Sequence, residues 1–294
     1  MANATLSEEL LKKVKKIEFH SRKLVNDAMS GNYRSHFRGL GMQFSEHRVY
    51  EPGDDIRHVD WKASARGKEL LIKKFEEERE LNVFLVVDIS GSELFGSNHQ
   101  TKSQIIAEVG GMLAHAANYT GDKIGLMLFS SQIEKTIRPK KGRIHVQKII
   151  RELLLSRSKG KGTQLKQALE STEKLMKHSG IVFIISDFIA DGYHDVLKRL
   201  SKKHDVVAVS VQDKAEREIP LHGYVALTNP ETGEDYFVDA DQYSFKEWLK
   251  TQYDKREAGL VQLFKESKVE KLSIISDQDY GEAIVRFFQK RKRR

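Results

Sequence analysis

The sequence predicts an α/β protein built on a doubly wound, mainly parallel sheet, with an N-terminal helical and β extension. Two short runs, residues 83–87 and 181–185, are continuously apolar and rich in β-branched and aromatic side chains, the pattern of strands buried on both faces. Helical patterns separate these runs from each other and from further strand-like segments. Strands that alternate with helices form right-handed crossovers in a parallel sheet.

The remaining elements follow from periodicity along the chain. Helical patterns occupy about residues 5–29, 102–119, 144–155, 164–177, 192–203, 243–265 and 281 to the basic tail. Strand patterns occupy residues 123–129, 206–211 and 271–275, with a short edge strand at 134–138 that the Pro-Lys-Lys-Gly sequence at 139–142 breaks. Residues 224–227 and 236–239 flank the turn-forming sequence Asn-Pro-Glu-Thr-Gly-Glu and predict a hairpin.

These elements favour one α/β domain with an extension. We expect residues 1–80 to form the extension, with an N-terminal helix and a region rich in Gly, Arg and Asp, and residues 81–294 to form the domain. The hairpin, at about 223–239, is an insertion in that domain. Within the extension, the Pro-Gly-Asp-Asp sequence at 52–55 is typical of a turn, which we expect to brace Trp61. Contact with a partner is the alternative.

Composition excludes several classes of protein. The 294 residues are 39% hydrophobic, enough for a sizeable core, and contain no Cys, so disulfides, thiolate metal sites and a Cys nucleophile are excluded. No apolar run approaches the roughly 18 residues of a membrane-spanning helix, and the first residues lack the layout of a signal peptide. We therefore expect a cytoplasmic protein.

The chain is basic, with a formal net charge of +8, which raises the hypothesis of nucleic-acid binding. Its 50 Lys and Arg residues are interleaved with 42 acidic residues, and the dense basic cluster is the tail at 290–294. Such a tail is typical of a solvated helix end, which the helix dipole favours. Contact with an acidic partner, nucleic acid or an anionic surface is the less favoured alternative.

Oxygen-bearing side chains follow the first apolar run. Asp88 comes directly after it, and Ser90 and Ser92 follow at alternate positions. In an extended segment alternate residues point to the same side, so these three side chains can converge. A carboxylate with two hydroxyls suits a hard cation such as Mg²⁺ or Mn²⁺ and suits zinc poorly. The alternative is a strand-end Asp followed by serines that cap a helix.

Two later segments favour the metal site over the capping alternative. Thr163 follows a Gly-Lys-Gly loop and precedes a helical pattern, and Asp187 ends the second buried strand pattern, at 181–186. The carboxyl ends of parallel strands meet at one edge of the sheet, where open α/β sheets bind ligands. We therefore predict a metal site formed by Asp88, Ser90, Ser92, Thr163 and Asp187.

This spacing resembles the metal-ion-dependent adhesion site (MIDAS) of the von Willebrand factor type A fold. In that family the first Asp, the two Ser and the Thr hold the ion, and the last Asp usually acts through water. The resemblance thus implies direct binding by Asp88, Ser90, Ser92 and Thr163, with Asp187 acting through water. It also implies an open coordination position that accepts an acidic side chain from a partner protein. The turn and strand at 121–129 are similar to the family's second strand.

A longer series of sequence motifs resembles those of the family called domain of unknown function 58. These are Arg-Gly-x-Gly at 38–41, Tyr-x-Pro-Gly-Asp-Asp-Ile-Arg-x-x-Asp-Trp-Lys at 50–62 and Phe-x-Glu-Glu-Arg-Glu at 75–80, just before the strand that leads to Asp88. The resemblance spans about residues 20–240, and Glu93 and Gln43 stand where we expect Met and Glu. Neither departure removes a predicted ligand, but Glu93 would add a competing charge near the predicted ion. Members are bacterial and archaeal proteins often encoded beside MoxR-type AAA+ ATPases, which implies such an ATPase as a partner.

The sequence favours a binding module over an enzyme. A Mg²⁺ ion near Asp88 and Asp187 would in principle serve phosphoester hydrolysis, but no third carboxylate or general base is marked beside the site. The chain has no P-loop and no Gly-x-Ser-x-Gly elbow, and no His is placed to activate Ser90. We expect a divalent-metal-dependent adaptor or cofactor of a MoxR-type ATPase in protein or complex assembly. The alternatives are a metal-dependent phosphoesterase and, more weakly, nucleic-acid binding through the basic surface.

Overall fold

A computed structural model of the protein describes residues 14, 17, 43–65, 67, 69–76, 81–94, 101–158, 160, 162–216, 222–228 and 234–292. Contacts within the chain define two compact units, residues 37–80 and the remainder. The division into an extension of residues 1–80 and a domain of residues 81–294 stays a prediction. Of the predicted helix at 5–29, Val14 and Ile17 are helical and buried, and its other residues lie outside the described part of the chain.

The smaller unit contains a two-stranded antiparallel sheet and a short helix. The strands are β1, Gln43–Val49, and β2, Leu71–Glu76, and the helix between them in sequence is α1, Trp61–Ser64. The predicted turn at 52–55 is present, and within it Asp54 Oδ1 accepts a 2.7 Å hydrogen bond from Arg48 Nη2. Trp61 is 63% exposed. That the turn braces Trp61 stays a prediction.

The larger unit contains a six-stranded sheet. Its strands are β3, Asn82–Asp88; β4, Lys123–Phe129; β5, Ile133–Lys140; β6, Ile181–Ser186; β7, Asp205–Gln212; and β10, Glu270–Ile275. Between β7 and β10 in sequence lie β8, Tyr224–Thr228, and β9, Asp235–Asp239, which form a separate pair. The spatial order is β10-β7-β6-β3-β4-β5, and β5 alone among these six runs antiparallel to its neighbour. The predicted α/β fold with a mainly parallel sheet is confirmed.

Helices connect these strands as the periodicity predicts. They are α2, Lys102–Tyr119; α3, Arg143–Leu155; α4, Leu165–Leu175; α5, His194–Lys203; α6, Tyr243–Glu266; and α7, Tyr280–Lys292. α2 begins at a capping box, in which the side chains of Thr101 and Gln104 each accept the other residue's backbone N–H. Within the described residues, no helix is both long enough and apolar enough to cross a membrane.

Helices cover both faces of the sheet, which explains why its central strands are apolar throughout. On one face, Phe84 and Val86 of β3 belong to a core cluster with side chains of α4, α5 and α6, among them Leu169, Leu197 and Leu263. On the other face, Gly110 of α2 leaves room for Leu153 of α3, which would meet a Cβ there at 3.0 Å. The core therefore holds β3 and β6 rigidly, and their ends form a fixed edge.

The hairpin and the edge strand are confirmed and are longer than predicted. β8 and β9 are antiparallel, and they pair with no other strand among the described residues. β5 continues through Pro139 to Lys140, beyond the predicted break. Pro is tolerated there because β5 lies at the edge of the sheet, where a missing N–H donor removes no hydrogen bond to a further strand.

Candidate metal centre

The predicted ligands lie where β3 and β6 end. The two strands are parallel neighbours, and Val87 of β3 pairs with Ile185 of β6. The next residues, Asp88 and Ser186, therefore lie side by side at the carboxyl edge of the sheet, and Asp187 follows directly. Asp88 and Ser186 are 0% exposed and Asp187 is 3% exposed. The edge of the sheet thus carries two buried carboxylates.

The Asp88 carboxylate is held by hydrogen bonds on both of its oxygens. Oδ1 accepts from the backbone N–H of Ser90 at 2.9 Å, and Oδ2 accepts from Ser186 Oγ at 2.8 Å. Burial and the neighbouring charge of Asp187 raise the pKa of Asp88 to about 6, although these hydrogen bonds act in the opposite direction. The carboxylate is thus fixed in place, and its negative charge is incompletely compensated.

Ser90 and Ser92 converge, but not through an extended backbone. Residues Gly91–Leu94 form a turn of 3-10 helix, so the expected alternation of an extended segment is wrong. The turn nevertheless places Ser90 Oγ 3.1 Å from Ser92 Oγ. Ser90 is buried and Ser92 is half-buried, so this pair of hydroxyls leads from the carboxylates toward the surface.

The backbone turns sharply after Asp187. Asp187 Oδ1 accepts from the N–H of Ile189 at 3.0 Å, and Ser186 Oγ accepts from the N–H of Phe188 at 3.0 Å. Phe188 has a φ of 59°, in the left-handed region that bulky residues rarely adopt. Its buried ring makes an edge-to-face contact with Phe264, with centroids 5.1 Å apart. Core packing therefore maintains the strained turn that orients Asp187.

Thr163 lies on a loop fixed against the turn between β4 and β5. The backbone N–H of Gln164 donates to the carbonyl of Ser130 at 2.7 Å. Gly162, with a φ of +93°, takes the left-handed conformation that favours glycine. Thr163 is half-buried and lines the same surface cavity as Ser92. The structure thus places Thr163 on the rim that it shares with Ser92.

Glu93 completes a cluster of three buried carboxylates. One oxygen each of Asp88, Glu93 and Asp187 lies within 4.8 Å of the others. Glu93 is 1% exposed, and its Oε1 accepts from the backbone N–H of Asp187 at 3.2 Å. Burial raises the pKa of Glu93 well above its usual range, although Lys102 acts in the opposite direction. The expectation that no third carboxylate lies beside the site is therefore wrong.

Lys102, 1% exposed, supplies a buried positive charge to this cluster. Its Nζ lies 2.9 Å from Glu216 Oε1, 3.4 Å from Glu93 Oε2 and 3.5 Å from Asp187 Oδ2. Arg256 Nη2 lies 3.4 Å from the other oxygen of Glu216. Burial lowers the pKa of Lys102, but the three carboxylates outweigh burial, and the pKa is raised above its ordinary value. Lys102 is therefore a permanent cation in the site.

The charges in the site fit a divalent cation. When ionised, four carboxylates face two cationic side chains, an excess of two negative charges: Asp88, Glu93, Asp187 and Glu216 against Lys102 and Arg256. Two buried oxygens, Glu93 Oε2 and Asp187 Oδ2, accept no hydrogen bond from the described residues and have Lys102 Nζ, at 3.4 and 3.5 Å, as their cationic neighbour. Carboxylate and hydroxyl oxygens are ligands for a hard ion. The cluster could therefore hold a metal ion.

Besides Glu93 and Arg256, three members of the site are absent from the predicted set, and two of these three carry a signal in the sequence. Lys102 precedes Ile105 and Val109 at helical spacing, which puts it on the inward face of α2. Ser186 is the last residue of a buried strand, where parallel register sets it beside the neighbouring strand's Asp. Glu216 lies in a short turn after β7, and nothing in its local sequence points to the site.

The fold and the site define a class: α/β proteins with a carboxylate- and hydroxyl-lined site at the carboxyl edge of a parallel sheet. The chain belongs to the family described as protein of unknown function DUF58, whose model matches residues 46–259. It is 25% identical over 280 residues to the uncharacterized protein Mb1516 of Mycobacterium bovis, a match covering 94% of this chain and 88% of that protein. The family resemblance inferred from the sequence phrases is thus confirmed.

Solved structures similar to this chain include a conserved hypothetical protein and a VWA domain. The conserved hypothetical protein BatB from Bacteroides thetaiotaomicron matches with a TM-score of 0.48 and 15% identity, over 73% of this chain and 100% of that chain. The VWA domain of SpRpn10 matches with a TM-score of 0.40 and 11% identity, over 70% of this chain and 94% of that chain.

Proposed function

We propose that this protein is a divalent-metal-dependent protein–protein interaction module. The observation that carries the proposal is the cluster of buried carboxylates, with oxygens of Asp88, Glu93 and Asp187 within 4.8 Å of one another at the carboxyl edge of the sheet. Buried carboxylates are costly to ionise together unless a cation compensates them. The proposed ion is Mg²⁺ or Mn²⁺, and its proposed ligands are Asp88, Ser90, Ser92, Thr163 and Asp187.

The residues around the ion have different parts in this proposal. Asp88 supplies a carboxylate that two hydrogen bonds hold in one orientation. Lys102 contacts Glu93 and Asp187 and so limits their movement. The half-buried hydroxyls of Ser92 and Thr163 face the outside, where a partner approaches. A bound ion supplies a coordination position for a carboxylate oxygen of that partner.

For the partner we propose a MoxR-type AAA+ ATPase that presents an Asp or Glu side chain. The protein would act as its adaptor or cofactor in protein or complex assembly. Membership of the DUF58 family supports this choice, because the resemblance implies genes beside those of such ATPases. We place this function in the cytoplasm, in keeping with a chain that contains no Cys.

Calorimetry with Mg²⁺ and Mn²⁺ tests the ion site. We expect the wild type to bind a single ion and Asp88→Ala to bind none. Asp277→Ala, in an exposed turn after β10, is the matched control and should bind as the wild type does. Binding that survives Asp88→Ala would refute the assignment of the site. The partner is tested separately, by co-purification of the neighbouring ATPase, which EDTA and Asp88→Ala should both abolish.

A second candidate, metal-dependent hydrolysis of a phosphoester, is favoured by the third carboxylate, that of Glu93. Glu93 is however 1% exposed and faces Lys102, so it is not placed to activate a water molecule at the surface. We therefore propose that the protein is not an enzyme. Hydrolysis of bis(p-nitrophenyl) phosphate with Mn²⁺ checks this, and turnover by the wild type that Asp88→Ala abolishes would reverse the choice.

A further inference from the structure

A surface cavity of about 650 Å³ opens beside the proposed ion site. The hydroxyl-bearing residues Ser92 and Thr163, both proposed ion ligands, form one part of its wall. The rest is mainly apolar and comes from the turn after β6, the hairpin and the start of α6: Ile189, Leu227, Tyr236, Val238, Phe245 and Trp248. The cavity is thus polar at its ion-site end and mainly apolar elsewhere, where Thr228 adds one hydroxyl.

The hairpin turns mainly one face toward this cavity, which Thr228 at the end of β8 also lines. Leu227 of β8 pairs directly with Tyr236 of β9, and Val238 lies two residues further on, so the three share a face. The other face carries Tyr224 and Phe237, which are 86% and 80% exposed. Of two adjacent residues in β9, Tyr236 therefore faces the cavity and Phe237 faces outward.

The apolar wall is open to solvent. Trp248 and Phe245 stack on each other with ring centroids 6.2 Å apart, and Trp248 is 57% exposed. Tyr236 and Ile189 are 52% and 50% exposed. A small-molecule site encloses most of its ligand, whereas a half-exposed apolar wall of this size is typical of a surface that another protein covers.

We propose that this cavity binds a segment of the partner in which an Asp or Glu lies next to, or within two residues of, an aromatic or branched apolar residue. The proposal rests on the proposed function and specifies what the ion site recognises. The acidic side chain passes Ser92 and Thr163 to reach the ion, and the apolar side chain packs against Trp248 and Tyr236. No charged side chain among the described residues lines the cavity. The ion alone therefore recognises the acidic side chain of the segment, and apolar contacts recognise its apolar side chain.

Short Gly/Ser peptides that contain Asp alone, Leu alone or both test this directly. Fluorescence anisotropy in MgCl₂ measures their affinity. Burial of one Leu side chain should make the peptide with both residues bind at least about tenfold more tightly than the peptide with Asp alone. EDTA should remove this binding. The spacing between Asp and Leu is varied from adjacent to two residues apart.

Paired variants locate the contact. Trp248→Ala and Tyr236→Ser should reduce the affinity of the two-residue peptide to that of the Asp peptide and leave Mg²⁺ binding intact. Their controls are the outward-facing Tyr224→Ala and Phe237→Ser, which should bind both peptides as the wild type does. All four positions are more than half exposed, so none of these substitutions removes a core side chain.

The outcomes separate this proposal from the proposed function. Mg²⁺ binding without any gain from the Leu residue overturns the cavity proposal and leaves the ion site standing. Absence of Mg²⁺ binding in calorimetry overturns both. Analytical sedimentation tests whether a second copy of this chain fills the cavity instead. A dimer that Trp248→Ala dissociates would show that it does, and would also overturn the proposal.

Discussion

The Nζ of Lys102 lies 3.4 Å from Oε2 of Glu93, and both side chains are 1% exposed. Desolvation of two buried charges costs about as much as their attraction contributes, so such a pair adds little net stability. The pair instead fixes the positions of the carboxylates, since the same amino group also contacts Asp187 and Glu216. One cation therefore connects the carboxyl ends of β3, β6 and β7.

Lys102→Met should strongly destabilise the fold, because buried carboxylates lose their cation. We expect the free energy of unfolding to fall by about 3–5 kcal/mol, measured by urea denaturation in EDTA. Lys198→Met, at an exposed position of α5, is the control and should cost less than about 0.5 kcal/mol. Adding Glu93→Gln to Lys102→Met should recover part of the loss. Equal effects at Lys102 and Lys198 would contradict this account of the buried pair.

Asp88→Asn should have opposite effects with and without the ion. The pKa of Asp88 is raised to about 6, above that of an unfolded chain, by burial and by Asp187. The free energy of unfolding therefore falls as the pH rises from about 4 to 6, by up to roughly 3 kcal/mol, and the loss persists at higher pH. At pH 7.5 in EDTA the variant should equal or exceed the wild type in stability.

In MgCl₂ the wild type should be more stable than Asp88→Asn, because only the wild type gains stability from the ion. Thermal melts under both conditions measure the two effects. A variant clearly less stable than the wild type in EDTA would show that the Asp88 charge is compensated without an ion, which would remove the electrostatic argument for the metal site.

His204 should make the fold sensitive to acid. It is 4% exposed, neither ring nitrogen is hydrogen-bonded to a described residue, and burial together with Lys203 lowers its pKa to about 4. The unfolded chain binds the proton first, so the free energy of unfolding should fall as the pH drops from about 6.5 to 4. His204→Asn should flatten this part of the pH profile, whereas the exposed His178→Asn should not. Identical profiles for the two variants would count against this assignment.

Arg291→Ala should reveal a structural role within the basic tail. Arg291 is 5% exposed, with Nη2 2.7 Å from Asp205 Oδ1 and Nε 3.3 Å from Glu270 Oε2. The variant should lose about 2 kcal/mol of unfolding free energy, because two carboxylates lose a charged partner. Its exposed neighbour, Lys290→Ala, should lose less than about 0.5 kcal/mol. Denaturation curves that superimpose for these two variants would mean that the tail is a solvated helix end throughout.

Burial explains why most of the fold could be predicted from the sequence. A strand covered on both faces must be apolar at every position, and β3 and β6 show this pattern without interruption. The bounds of α2 were predictable because a capping residue, Thr101, precedes its apolar stripe. The length of β5 was not, because Pro139 reads as a break unless the strand is known to lie at an edge.

In the candidate site, the carboxylates that directly follow a buried strand could be predicted from the sequence. Asp88 and Asp187 each follow a buried strand, so parallel topology alone brings them to one edge. Lys102 and Glu216 are 114 residues apart and meet through the packing of α2 against the end of β7. Local patterns carry no information about such a pair. The charge balance of the site therefore emerges only from the tertiary structure.

The separation of the hairpin from the six-stranded sheet has an evolutionary consequence. Because β8 and β9 pair only with each other among the described strands, their length and sequence are free of the register that fixes β3 and β6. Substitutions at Leu227 or Tyr236 can therefore accumulate without disturbing Asp88 and Asp187. Related chains can therefore diverge in what their hairpins contact while their buried carboxylates stay in place.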